Sequence, residues 1–219
     1  MPHPDDVPAV TAVPEESRDE TPAFLTELPW DRPVEPVVPG LKPPAGRRFT
    51  WNGGRWDAEV RAEDLQYREL DVPDWDDLLA RYRRRMPRHL KVRFLMRAPD
   101  DIVRPLLAEW NRAEDTDGVG PWPLTLVARH GLDAFPFAWT QAAARPGLDG
   151  RLLVPYLDAD VAAWMGERWD RPENAWARAW LDVHGLDAVP YLATAALGRK
   201  ARAPPAAAAA LRALADAHG

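Results

Sequence analysis

Apolar residues recur at three-to-four-residue spacing over long parts of the chain, the period of an α-helix with one buried face. Trp75, Leu78, Leu79, Tyr82 and Met86 form one such stripe. Asp74 precedes it as a cap for the free first-turn amides, Asp77 adds an acid near the positive helix end, and Pro87 ends the helix. Ile102, Val103, Leu106, Leu107 and Trp110 form a second stripe after the start signal Pro99-Asp100-Asp101. Val161 with Trp164, Trp176 with Trp180 and Leu192 with Ala196 supply further stripes. Pro204-Pro205 opens an Ala-rich terminal helix with Leu211 and Leu214 one turn apart. The helical pattern begins near Asp64. Upstream, Phe49-Thr50-Trp51-Asn52-Gly53-Gly54-Arg55-Trp56 predicts a short β-hairpin, because Asn-Gly between aromatic flanks favours a two-residue turn.

The chain also repeats itself. Residues 130–136 read His-Gly-Leu-Asp-Ala-Phe-Pro and residues 184–190 read His-Gly-Leu-Asp-Ala-Val-Pro, an offset of 54 residues. Between 129–145 and 183–199, nine of 17 pairs are identical, against about one for random pairing. The same offset pairs Trp110 with Trp164 and Trp122 with Trp176. The repeated heptapeptide reads as a corner between two helices. His130 and His184 stand in a last turn, where donors meet free carbonyls. Gly131 and Gly185 take the left-handed position beyond it. Asp133 and Asp187 cap the next helix, Pro136 and Pro190 occupy its first turn, and Leu132 and Leu186 plug the corner. Hairpins of this kind in series predict an all-α fold, a HEAT-like α-solenoid in which each unit buries its stripe on its neighbour.

The run Leu153-Val154-Pro155-Tyr156-Leu157, then Asp160-Val161-Ala162, Trp180 to Pro190, Ala196 to Arg202 and Ala210-Leu211-Arg212, resembles the HEAT-like helical region of large actinobacterial proteins. Those proteins carry a C-terminal domain of unknown function, are labelled molybdate-metabolism-regulator-like and in some cases contain a WGR domain. Their C-terminal domain has no counterpart in these residues. The resemblance, over roughly residues 50 to 217, implies a helical-repeat module standing alone.

Charge divides the chain in two. Residues 1–45 hold 11 of the 24 prolines and nine acids against three bases, so the formal charge of −6 belongs to this segment and residues 46–219 are neutral. A Pro-rich acidic segment with few aromatics buries too little to offset its ordering entropy, so residues 1–45 are expected to be a disordered tail and 46–219 the helical-repeat domain. Phe24, Leu25, Leu28 and Trp30 give that tail a small sticky motif, a recruitment arm if it is more than a spacer. No apolar run reaches the ~18 to 20 residues of a membrane span, and the acidic, Pro-broken start is unlike a signal peptide. The expected location is the bacterial cytoplasm.

Candidate chemistry is sparse. The chain has no Cys, which removes disulfides, thiolate nucleophiles and Cys-based zinc sites. Its one serine, Ser17, lies in the tail, and no His-Glu-x-x-His, Gly-x-Ser-x-Gly or phosphate-loop signature occurs. His130 and His184, as successive corners, stand too far apart to share a metal. The acid pairs Asp76/Asp77, Asp100/Asp101 and Asp158/Asp160 each sit where a helix begins, so capping explains them without catalysis. No catalytic, metal or cofactor-binding residue is assigned.

One anomaly stands out. Arg81, Arg83, Arg84, Arg85, Arg88, Lys91, Arg93 and Arg97 occur with no acid between Asp77 and Asp100. They form a solvated helix face, a docking surface for a partner or the acidic tail, or a track for phosphates on which Tyr82, His89 and Phe94 stack bases. Five of the eleven tryptophans fit helical stripes and are expected in the core. The sequence thus points to a non-enzymatic module that binds another protein, with weak nucleic-acid binding through 81–97 as the alternative.

Overall fold

The computed structural model describes residues 38, 40–52, 54, 56–67, 74–110, 120–171, 175–197 and 204–218, with the side chains of 64–67, 85, 204 and 218 outside that description. The expectations made for the acidic tail, apart from its last residues, lie outside the described residues. The fold is mostly helical with one small two-stranded sheet, and Val37–Gly219 forms a single unit.

Helix α1 spans Asp57–Tyr67, opening on the acids Asp57 and Glu59. The helical pattern therefore starts seven residues before the sequence suggests. Helix α2, Trp75–Arg85, starts at Asp74, whose carboxylate accepts from the Asp76 and Asp77 amides at 3.0 and 3.1 Å. Pro87 separates it from α3, Arg88–Arg97, a helix the sequence conceals because its bases interrupt the buried set Val92, Phe94, Leu95 and Met96. Trp75 and Tyr82 pack on Phe94 with ring centroids 6.1 and 5.2 Å apart, which fastens α2 to α3. Asp100 and Asp101 open α4, Asp100–Ala108.

The repeat is then built twice. Helix α5, Trp122–His130, passes through a 3-10 turn, Gly131–Ala134, into α6, Phe135–Ala144. In parallel, α9, Ala175–His184, passes through Gly185–Ala188 into α10, Val189–Leu197. Each pair leans on a preceding helix. α6 packs on α4, and α10 packs on α8, Ala159–Gly166. Between the two units run α7, Pro146–Asp149, and a 3-10 turn, Gly150–Leu153, whose Leu152 and Leu153 are fully buried. Helix α11, Pro204–His218, closes over α8 and α10, with Gly166 admitting the Ala207 side chain. Trp110, Trp164 and Trp180 lie in the core as their stripes predict, whereas Trp75 and Trp176 are only half-buried against its edge.

Among the described residues of 49–56 the expected hairpin pairing does not form. β1, Arg48–Phe49, pairs instead with β2, Tyr156–Leu157, in antiparallel register, with Arg48 opposite Leu157 and Phe49 opposite Tyr156. An isolated two-stranded ribbon is marginal in water, whereas this pairing lays Phe49 against Tyr156, ring centroids 5.2 Å apart. Trp51 lies beyond the paired residues, its ring stacked on Phe49. Its indole N–H donates to Asp57 at 3.1 Å and its ring packs on Trp56, which draws the chain into α1. Among the described residues, no helix is long and apolar enough to cross a membrane.

Candidate functional site

The two corners have nearly the same geometry, with differences that matter. Gly131 and Gly185 adopt φ of +54° and +51°, so both need glycine. At Gly131 ψ is −122°, the mirror image of extended backbone rather than the left-handed helical conformation the sequence suggests. Pro136 and Pro190 sit in the first turns of α6 and α10, where their missing N–H is harmless.

The corner aspartates do not cap. Residue Ala134 caps α6 without any side-chain bond, because the 3-10 turn places Asp133 one residue too early. Asp133 and Asp187 reach outward to Arg104 at 3.4 Å and to Arg48 at 3.1 Å. Neither histidine meets a carbonyl of its own helix end. His184 is buried and its Nε2 lies 2.9 Å from the Val154 carbonyl, while His130 is buried with both ring nitrogens unpaired. Burial, then the adjacent Arg129 charge, pushes His130 down to about 4, and burial lowers His184.

The corner leucines do not plug the corners either. Leu132 is 50% exposed and Leu186 60%, the same position of each unit presenting an apolar side chain to solvent. They flank a strap that sequence reading gave no means of finding. Arg47 ion-pairs Asp158 and lays its guanidinium 3.1 Å above the Phe135 ring, Arg48 pairs with Asp187, and Phe49 packs on Gly131. The Tyr156 hydroxyl donates to the Gly131 carbonyl at 2.8 Å. Arg129 performs a related task at the first corner, donating to the Met96 and Ala98 carbonyls at 3.0 and 2.9 Å and to Asp100 at 2.6 Å. It thereby satisfies the carbonyl end of α3 and ties it to α4. Burial acts to raise Asp100, and the Arg129 bond and charge with Arg104 outweigh it, so the carboxyl stays below its ordinary range.

The basic stretch is divided between two helices. Arg81, Arg83 and Arg84 are exposed on the last turns of α2, and Arg88 and His89 are exposed in the first turn of α3. Arg81 pairs with Asp77 at 3.9 Å. Lys91, Arg93 and Arg97 are half-buried along α3, with the Lys91 ammonium 5.0 Å above the Tyr82 ring. Arg85 belongs to α2 by its backbone, and its side chain lies outside the described residues. Tyr82 and Phe94 are core residues facing each other, so neither offers a ring for base stacking.

Other chemistry is thin. A shallow cleft of about 200 Å³ is lined by Asn52, Trp56, Ala179, Asp182 and Val183. Among the described residues, no three His, Asp or Glu side chains converge as a metal site. The acid pairs do sit at helix starts: Asp76/Asp77 in the first turn of α2, Asp100/Asp101 in that of α4, and Asp158 as the cap of α8, accepting from the Val161 amide at 2.8 Å. Comparison of the chain with protein-family models, curated proteins and solved structures finds no match.

Proposed function

We propose that this protein is a non-enzymatic helical-repeat module that binds another protein, built as a HEAT-like α-solenoid whose successive corners present one continuous edge. The observation that carries this reading is the equivalent exposure of Leu132 and Leu186. A lone exposed leucine is ordinary. The same leucine left in water at the same corner of two successive units is a periodic apolar surface, the kind a repeat protein offers to a partner segment. The ribbon supports the reading, since bonds join both corners to it or to the chain just before it: the Tyr156 hydroxyl donates to the Gly131 carbonyl, and His184 Nε2 meets the Val154 carbonyl. The resemblance to the HEAT-like region of large actinobacterial proteins and a cytoplasmic location belong to the same proposal.

Cross-linked affinity capture with the wild-type chain beside L132D/L186D tests it. Both side chains are solvent-facing, so the double variant retains its circular dichroism and melting temperature. A protein recovered by the wild type and lost by the folded double variant supports the assignment. Recovery of the same proteins in equal amounts by both chains overturns it.

A further inference from the structure

We infer that the junction of α2 and α3 is a second, independent surface that binds the phosphate backbone of duplex nucleic acid, with Arg83 and Arg84 at its centre and Arg81 and Arg88 beside them. The chain between Asp77 and Asp100 contains eight bases and no acid, in a body, residues 46–219, that is formally neutral only when these eight are counted. The fold turns this linear run into a local field. The α2 stripe Trp75, Leu78, Leu79, Tyr82 and Met86 faces inward, which directs Arg81, Arg83 and Arg84 to solvent, and Pro87 brings Arg88 and His89 in immediately after them. Arg83 and Arg84 have no ion-pair or hydrogen-bond partner among the described residues. Exposed like charges on neighbouring residues repel, and an anion that binds them offsets that repulsion and releases its own counterions.

Three features select the ligand. The large apolar side chains exposed among the described residues are Val38, Leu132, Leu148 and Leu186, none of them on this surface, so there is nothing here to insert into a bilayer. Tyr82 and Phe94 are buried, so the surface lacks the aromatic platforms that hold single strands. What remains is charge alone, suited to the regularly spaced phosphates of a duplex without sequence preference. The surface is separate from the corners. Arg129 clamps the C-terminal end of α3 beside the first corner, and ten helical residues place Arg88 about 15 Å further along the axis.

The test is fluorescence anisotropy of the full chain with a 20-base-pair DNA duplex, the matching RNA duplex and the single strand, titrated with salt. The expected result is micromolar binding to both duplexes, weaker binding to the strand, and a log–log salt slope of about −3 to −4. R83Q/R84Q, which changes only exposed side chains, weakens duplex binding by about tenfold at low salt and makes the slope shallower by about 2, with an unchanged melting temperature. Absence of binding at low salt, equal binding by R83Q/R84Q, or a preference for phosphatidylserine vesicles or polyglutamate over duplex overturns the inference. Because L132D/L186D leaves these arginines in place, it binds duplex as the wild type does, and either surface can fail without the other.

Discussion

His130 and His184 occupy the same position 54 residues apart and are both buried, yet only His184 has a hydrogen-bond partner, the Val154 carbonyl at 2.9 Å. The difference lies in what faces each ring. His184 meets a free backbone acceptor just before β2. His130 meets Arg129, Arg104, Asp100 and Asp133, which pair among themselves and leave it none.

That asymmetry sets a pH response. An unfolded histidine takes a proton near pH 6.5, while folded His130 resists until about 4 because its site is buried and Arg129 adjoins it. As pH falls from about 6.5 to about 4, the unfolded state therefore gains a proton that the folded state refuses, and stability drops. His184 shifts in the same direction and adds to the loss. Urea unfolding at pH 7.5 and pH 4.5 checks this. H130L should be close to wild type at pH 7.5, since it leaves no partner unsatisfied, and should lose less stability at pH 4.5. H184L should cost about 1 to 3 kcal/mol already at pH 7.5, because the Val154 carbonyl is left buried without a donor. An H130L chain with the wild-type pH dependence would contradict the assignment.

Two adjacent arginines should differ widely in worth. Arg47 pairs with Asp158, whose side chain is 9% exposed, which caps α8 and which would be left as a buried, uncompensated carboxylate in R47A. The same change also removes the guanidinium from the Phe135 ring. A loss of about 2 to 3 kcal/mol follows. Arg48 pairs with Asp187 across two largely solvated side chains, so R48A should cost less than about 0.5 kcal/mol. R47A/D158N discriminates the cause. Asn still caps α8 but carries no charge to strand, so the double variant should recover part of the R47A loss in urea titrations. Equal effects of R47A and R48A would contradict the assigned difference between a buried and a solvated pair.

Much of the helical layout is legible because it rests on local chemistry. The Asp74 cap, the Trp75-to-Met86 stripe, the positive-φ glycines and the first-turn prolines each depend on residues a few places apart. What escapes is what distant residues decide. Asp133 and Asp187 read as caps until a 3-10 turn sets each of them one residue ahead of the cap position of the following helix, where they meet Arg104 and Arg48 instead. Phe49 reads as half of a hairpin until Tyr156, 107 residues away, supplies both a ladder and a ring. Helix α3 is hidden because Arg93 and Arg97 fall among its buried positions, and their stems cover the apolar surface that periodicity would otherwise expose. Of the candidate surfaces, the basic run is visible as a charge anomaly. The outward leucines are not, since nothing local separates a leucine that plugs a corner from one that projects.

The join between the two units depends on a glycine that no sequence pattern singles out. Gly150 lies between Trp164 of α8 and Trp176 of α9, and a Cβ there would stand 2.8 Å from Trp176 Cδ1 and 2.9 Å from Trp164 Cη2. Neither ring can retreat freely. The Trp176 indole N–H is held by the Gly147 carbonyl at 2.9 Å, and the Trp164 ring lies under the Arg168 guanidinium at 3.9 Å. G150A should therefore destabilise the protein by about 1 to 3 kcal/mol through overpacking. G147A, three residues away with open space around its Cβ position, serves as the control and should change stability by less than about 0.5 kcal/mol. Adding W176F to G150A replaces the indole by a smaller ring, so the double variant should be less destabilised than the separate effects predict. Thermal melts of wild type, G150A, G147A, W176F and G150A/W176F decide the matter. If G150A melts with G147A, the tryptophans yield to a methyl group and the packing of one unit on the next is looser than these distances require.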